Sequence, residues 1–208
     1  MQLIFNLLSV FYLYRAVQIL LEIGRKWRTL WQEPLTREKW VLASNASFFV
    51  GVPPAVFLHE LGHALAVWLF GGQVVEFAYR VFWGYVVPAG TFTDPEYWFI
   101  GIAGTLGNVL FGVVVWLLLR NASSSTMRFF GLQAFRYQLY FGFIYYPVFT
   151  LFLPIGDWII IYNFNATPIL SSVTAVFHVA ILLGFWQARR QGWFELPTHE
   201  TLEEQQKF

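Results

Sequence analysis

The chain has 208 residues, of which 57% are hydrophobic, 21% aromatic and only 12% charged, about half the charged share of a soluble domain. A soluble fold of this size leaves too much surface in water to hide so much apolar material, which excludes an ordinary soluble domain and points to a polytopic membrane protein. A net charge of +1 gives no basic surface for nucleic acid. The absence of cysteine excludes disulfides and thiolate metal sites, so any metal must use nitrogen and oxygen ligands.

About 20 apolar residues are needed to cross the hydrocarbon core of a bilayer. Residues 1–23 are apolar apart from Asn6, Arg15 and Gln18 and suit either a span or an interfacial helix; a span is the expectation. They lack the basic start and small-residue cleavage site of a signal peptide, so retention is expected. Residues 24–40 form a basic loop with Arg25, Lys26, Arg28, Arg37 and Lys39. The core, residues 41–187, contains four apolar stretches at 41–71, 97–119, 137–163 and 168–187. Pro53 and Pro54 should kink or split the first of these, and Pro147 and Pro154 interrupt the third. Between the first two stretches, Val75, Phe77, Tyr79, Val81 and Trp83 alternate with Glu76, Ala78 and Arg80, and Gly84 offers a turn. That period of two predicts a β-hairpin over 73–92. The expected fold is an all-α polytopic bundle of about five transmembrane helices, with a small membrane-associated β-hairpin between the second and third. Residues 188–208 are too short to fold alone and form a tail.

Lysine and arginine concentrate in alternate loops. They fall at 24–40, at Arg120, Arg128 and Arg136, and at Arg189 and Arg190. Short cytoplasmic loops carry such an excess, so these three segments, the C-terminus included, are expected in the cytoplasm, with the chain in a cytoplasmic (inner) membrane.

Ionisable groups inside a span are costly and mark function. The four core stretches hold five acids and imidazoles: His59, Glu60, His63, Asp157 and His178. The first three form His-Glu-Leu-Gly-His. Two histidines four apart share one helical face and can grip one zinc ion (Zn2+), while a glutamate one residue on points about 100° away. Glu60 is thereby kept off the metal yet near enough to take a proton from a metal-activated water. A catalytic zinc has three protein ligands and an open position, and the remaining candidates are Asp157 and His178. Asp157 follows Leu153-Pro154-Ile155-Gly156, where the helix can open, and its depth along its segment matches that of His59 and His63; His178 suits an interhelical hydrogen bond. In the next stretch, Gly101 to Asn108 is a run of small residues permitting close helix contact. Asn108 within it could hydrogen-bond an extended substrate or developing oxyanion, or tie two helices together.

These residues resemble the site-2 protease type of intramembrane zinc metalloproteases, an M50-like peptidase family. The resemblance lies in Phe57-Leu58-His59-Glu60-Leu61-Gly62-His63-Ala64, the Ala103-Gly104 to Asn108 run, and a late aspartate after a proline. It covers roughly residues 50–165. It implies that His59, His63 and Asp157 bind zinc, that Glu60 is the catalytic base, and that Gly104 and Asn108 position substrate. It further implies that the substrate is a transmembrane or membrane-adjacent segment of another protein, and that a re-entrant sheet takes the hairpin's place. The chain departs from the family pattern where Gly156 and Trp158 flank the aspartate, where Thr105 stands for the usual proline, and in having no room for a PDZ or CBS domain. Two other classes compete: a non-catalytic scaffold that keeps the zinc fold, disfavoured by an intact Glu60, and a metal or proton transporter, disfavoured by the lack of repeated halves.

Overall fold

The computed structural model describes residues 2–153 and 155–193; most of the expected tail and Pro154, the residue expected to help open the late helix, lie outside them. Helix α1 (Gln2–Arg25) is followed by a single turn, α2 (Trp27–Leu30), then α3 (Arg37–Phe49) and α4 (Val52–Leu69). Strands β1 (Gln73–Tyr79) and β2 (Gly84–Ala89) precede α5 (Asp94–Leu119) and α6 (Ser125–Tyr140). A π-helical turn (Phe141–Tyr145) joins α6 to α7 (Tyr146–Phe152), and α8 (Trp158–Ile161) and α9 (Pro168–Arg190) complete the order.

Among the described residues, four stretches are long and apolar enough to cross a membrane: Leu3–Arg25, Arg37–Leu69, Asp94–Leu119 and Pro168–Arg190. Their outward side chains are large and apolar, with Leu3 71%, Leu118 75% and Ile169 77% exposed. Water would be a poor solvent for this surface and lipid a good one. The protein is therefore an all-α polytopic membrane protein, with one small sheet among the described residues.

The fifth expected crossing takes a different form. Residues 137–163 are not one interrupted span: the helical rod begins twelve residues earlier, at Ser125, and runs through the π turn to Phe152 before the chain opens. Arg128 and Arg136, read from sequence as loop residues, lie on α6, because a helix of mixed polarity carries no long apolar run to announce it.

Pro53 and Pro54 act as expected, although the break they accompany lies slightly upstream, whereas Pro147 does not interrupt its segment, because the π turn passes directly into α7 around it. The chain leaves helix at Val50–Gly51, and Pro53 and Pro54 occupy the first turn of α4, where a missing N–H is harmless. At the start of α5, the Glu96 carboxylate accepts from Thr93 N–H at 2.7 Å and from Thr93 Oγ1 at 2.8 Å. This fixes the point at which the chain leaves the hairpin and re-enters helix.

The centre of the molecule is the α4–α5 pair, with α6 packed on α5 and α3 on α6. A β carbon at Gly62 would fall 2.4 Å from the Ala103 carbonyl oxygen, and one at Gly107 would fall 2.3 Å from that of Leu58. Small residues on both helices thus let the two backbones touch. Val67, Ala66, Ile100 and Ala103 close one end of this interface under Val74 and Phe92 of the hairpin region. Ile102, Phe143, Trp158 and Ile161 form a second core that seats α8.

The strands pair antiparallel, from Gln73 with Ala89 to Tyr79 with Gly84, with a bulge between Val74 and Glu76. The turn is Arg80–Trp83, and Val81 takes a φ of 67°, a left-handed conformation rare for a β-branched residue. Gly84 is therefore not the turn residue that its type suggested; it opens β2. The turn lies among the helices, with Phe82 against Tyr12 and Phe141, and Trp83 against Phe5.

Candidate functional site

His59, Glu60 and His63 occupy consecutive turns of α4, and all three are buried at 8%, 4% and 6% exposure. Asp157 comes from the opened chain between α7 and α8, just after Gly156, whose φ of 95° belongs to the left-handed region that glycine enters freely. Tyr146 packs against Gly156 so closely that a β carbon there would lie 2.6 Å from its hydroxyl oxygen. That hydroxyl accepts the Asp157 N–H at 3.2 Å, which fixes the backbone of the aspartate.

The three side chains expected to bind metal converge. Asp157 Oδ2 lies 3.0 Å from His59 Nε2 and 3.2 Å from His63 Nε2, and the two Nε2 atoms are 3.1 Å apart. Ligands about 2.0–2.1 Å from a tetrahedral zinc stand about 3.3 Å from one another. The triangle of donors is thus nearly the face of a zinc tetrahedron, and its nitrogen and oxygen composition suits that ion. His63 Nδ1–H donates to the Ile100 carbonyl at 2.6 Å. A carbonyl can only accept, so the ring proton is on Nδ1 and the Nε2 lone pair faces the triangle.

Glu60 does not join the triangle; among the described residues His59, His63 and Asp157 form the one cluster able to hold a metal. Its neighbour is instead the hairpin. A β carbon at Gly84 would fall 2.6 Å from Glu60 Cγ, so the start of β2 lies against the glutamate. Gly104 serves the imidazoles in the same way: a β carbon there would lie 2.4 Å from His63 Nε2 and 2.7 Å from His59 Nε2. Asn108, one helical turn further along α5, has Nδ2 at 3.3 Å from His59 Nδ1. Both residues expected to position substrate therefore touch the histidines.

His178 stands apart from this group. Tyr162 donates its hydroxyl proton to His178 Nδ1, and His178 Nε2–H donates to the Phe143 carbonyl in the π turn. Its ring also packs against Trp158 of α8, so it clamps α9 to the segment that carries Asp157.

Sequence reasoning missed Tyr146 and Gly84. Tyr146 belongs to no motif, and its relation to Asp157 exists only because the chain reverses between them. Gly84 carried a signal for a turn and none for a close approach.

The family model for Peptidase M50B-like proteins matches residues 54–204, well over half of the chain. No curated protein and no solved structure matches it. The matched region contains His59, Glu60, His63, Gly104, Asn108 and Asp157, and the chain belongs to the Peptidase M50B-like family of site-2-protease-like membrane metalloproteases.

Proposed function

We propose that the protein is a zinc-dependent intramembrane endopeptidase that hydrolyses peptide bonds in transmembrane or membrane-adjacent segments of other membrane proteins. The observation that carries this reading is the convergence of two imidazoles and a carboxylate within 3.2 Å of one another, with a glutamate that is not a ligand on the same helix. His59, Glu60 and His63, buried among apolar helices, would each bear a desolvation cost if they had no common task.

His59, His63 and Asp157 would hold the zinc. Zinc, when bound in such a site, acts as a Lewis acid toward water and toward a peptide carbonyl. Glu60 is the general base that takes the proton of the attacking water; the same carboxyl then delivers it to the leaving amine. Burial of Glu60 keeps that proton from being lost to solvent between the two transfers.

The substrate must enter as an extended strand, because a helix occupies its peptide groups with its own hydrogen bonds. Among the described residues the sheet has two strands, leaving one edge of each without a strand partner. Strand addition there would lay a substrate alongside Glu60, which Gly84 adjoins, with main-chain hydrogen bonds supplying affinity. We assign the basic residues 24–40, the basic segment 120–136 that includes the start of α6, and the C-terminus to the cytoplasmic side of an inner membrane. The test is to compare the membrane proteins that accumulate with wild-type and Glu60→Gln chains. A protein that persists only with the variant, and co-purifies with it, supports the reading; identical membrane proteomes contradict it.

A further inference from the structure

Among the described residues, the buried amide oxygen of Asn108 has no hydrogen-bond partner. Asn108 is 8% exposed, and its Oδ1 makes no hydrogen bond to the described residues, while its Nδ2 faces His59 Nδ1 at 3.3 Å. In that pose the amide donates to an unprotonated Nδ1, so the single ring proton of a neutral His59 sits on Nε2, directed at Asp157. An Nε2 that carries a proton has no lone pair for a metal. The two ends of an asparagine amide have nearly the same shape and are distinguished by their partners. Turning the amide over brings Oδ1 to Nδ1, where it accepts the ring proton. The Nε2 lone pair is then free, and the buried oxygen gains the partner it lacked.

We propose that Asn108 is a positioning residue for the metal ligand His59: its amide oxygen accepts the Nδ1–H and so fixes both the tautomer and the direction of the ring. This rests on the zinc-protease reading above and gives Asn108 a task at the metal in place of the substrate contact that family resemblance implies. His63 has an equivalent acceptor, but there it is the backbone carbonyl of Ile100, which no side-chain substitution removes. His59 is therefore the ring whose orientation depends on a side chain, and the outer hydrogen bond of a ligating histidine governs metal affinity. The geometry also explains why Gly104 and Asn108 lie four residues apart. One leaves room for the imidazole edges, and the other holds the far side of one ring from the next turn of α5.

The experiment measures zinc affinity of the full chain in detergent, by chelator competition, for wild type, Asn108→Leu, Asn108→Ala and Asn108→Asp. The leucine and alanine variants are expected to bind about 10–100-fold more weakly, and the aspartate variant at least as tightly as wild type, because a carboxylate is the stronger acceptor. Leucine keeps the volume and alanine does not, so agreement between them separates loss of the acceptor from a packing fault; the nearly isosteric aspartate provides the rescue. Equal affinity in all four chains overturns the proposal. So does an aspartate variant as weak as leucine, or a raised KM with wild-type zinc affinity in the leucine variant, which would return Asn108 to the substrate. A wild-type chain that binds no zinc is a different failure, since it removes the protease reading itself.

Discussion

Gly84 at the start of β2 lies against Glu60 of α4, so close that a β carbon would fall 2.6 Å from the glutamate Cγ and 2.8 Å from its Cδ. A β carbon there would also meet the Ala78 carbonyl of the paired strand at 2.6 Å, leaving little freedom on either side. Gly84→Ala should therefore displace the carboxylate while leaving the three proposed metal ligands in place. The expected result is unchanged zinc content with cleavage reduced at least about tenfold, the scale on which a misplaced general base acts. A Gly84→Ala chain that cleaves at the wild-type rate would show that the hairpin does not hold Glu60.

Gly104→Ala probes the metal rather than the base. Its β carbon would lie within 2.7 Å of both imidazole Nε2 atoms, inside van der Waals contact and in the space the ligands need. Zinc affinity should fall by at least about tenfold, as it does when ligand orientation is lost. Metal titration of the purified variant checks this, and wild-type affinity would place the glycine's importance elsewhere.

Asp157 and His178 separate the proposed ligand from a clamp. Asp157→Ala removes one corner of the triangle and should abolish cleavage and weaken zinc binding. His178→Ala should keep most of both and lose stability by roughly 2 kcal/mol, because the Tyr162 hydroxyl and Phe143 carbonyl lose a buried partner. Zinc analysis and thermal melting of the two variants decide the matter. If His178→Ala strips the metal while Asp157→Ala retains it, the ligand set is wrong.

Glu33 ties the loop before α3 to the start of α6, its carboxylate accepting from Ser125 N–H at 2.6 Å and Ser125 Oγ at 2.5 Å. These bonds hold its carboxyl below the usual carboxylate range. A depressed folded-state pKa gives stability that is present above the unfolded value of about 4.5 and lost as pH falls through the folded one. Glu33→Gln should thus lower stability at pH 7, by no more than about 1 kcal/mol for an exposed group. The difference from wild type should shrink below about pH 4.5. A difference that persists undiminished in acid would assign the effect to packing.

Much of this was legible in the residues. Hydropathy alone located α1, α4, α5 and α9, since lipid-facing helices must be apolar along their whole length. Alternation located the hairpin, and the spacing of His59 and His63 located two corners of the triangle. What escaped notice was carried by contacts between distant parts of the chain. α6 begins at Ser125 because α3 and α5 cover it, and no periodicity in its own residues announces that. Tyr146 meets Asp157 only through the opening at Gly156, and the contact of Gly84 with Glu60 depends on how the whole hairpin leans on α4. The role of Asn108 was undecided from sequence because an amide in mid-membrane suits a substrate as well as a neighbouring helix; its distance to His59 is what favours a metal ligand.

The central claim is that a zinc held by α4 and the segment before α8 works with Glu60 to cut peptide bonds. Its most direct test is to purify the wild-type and Glu60→Gln chains, determine zinc per chain, and incubate each with the membrane protein that the variant traps. About one zinc is expected in both, with cleavage by the wild type alone. Cleavage by Glu60→Gln at the wild-type rate, or a wild-type chain without zinc, would contradict it.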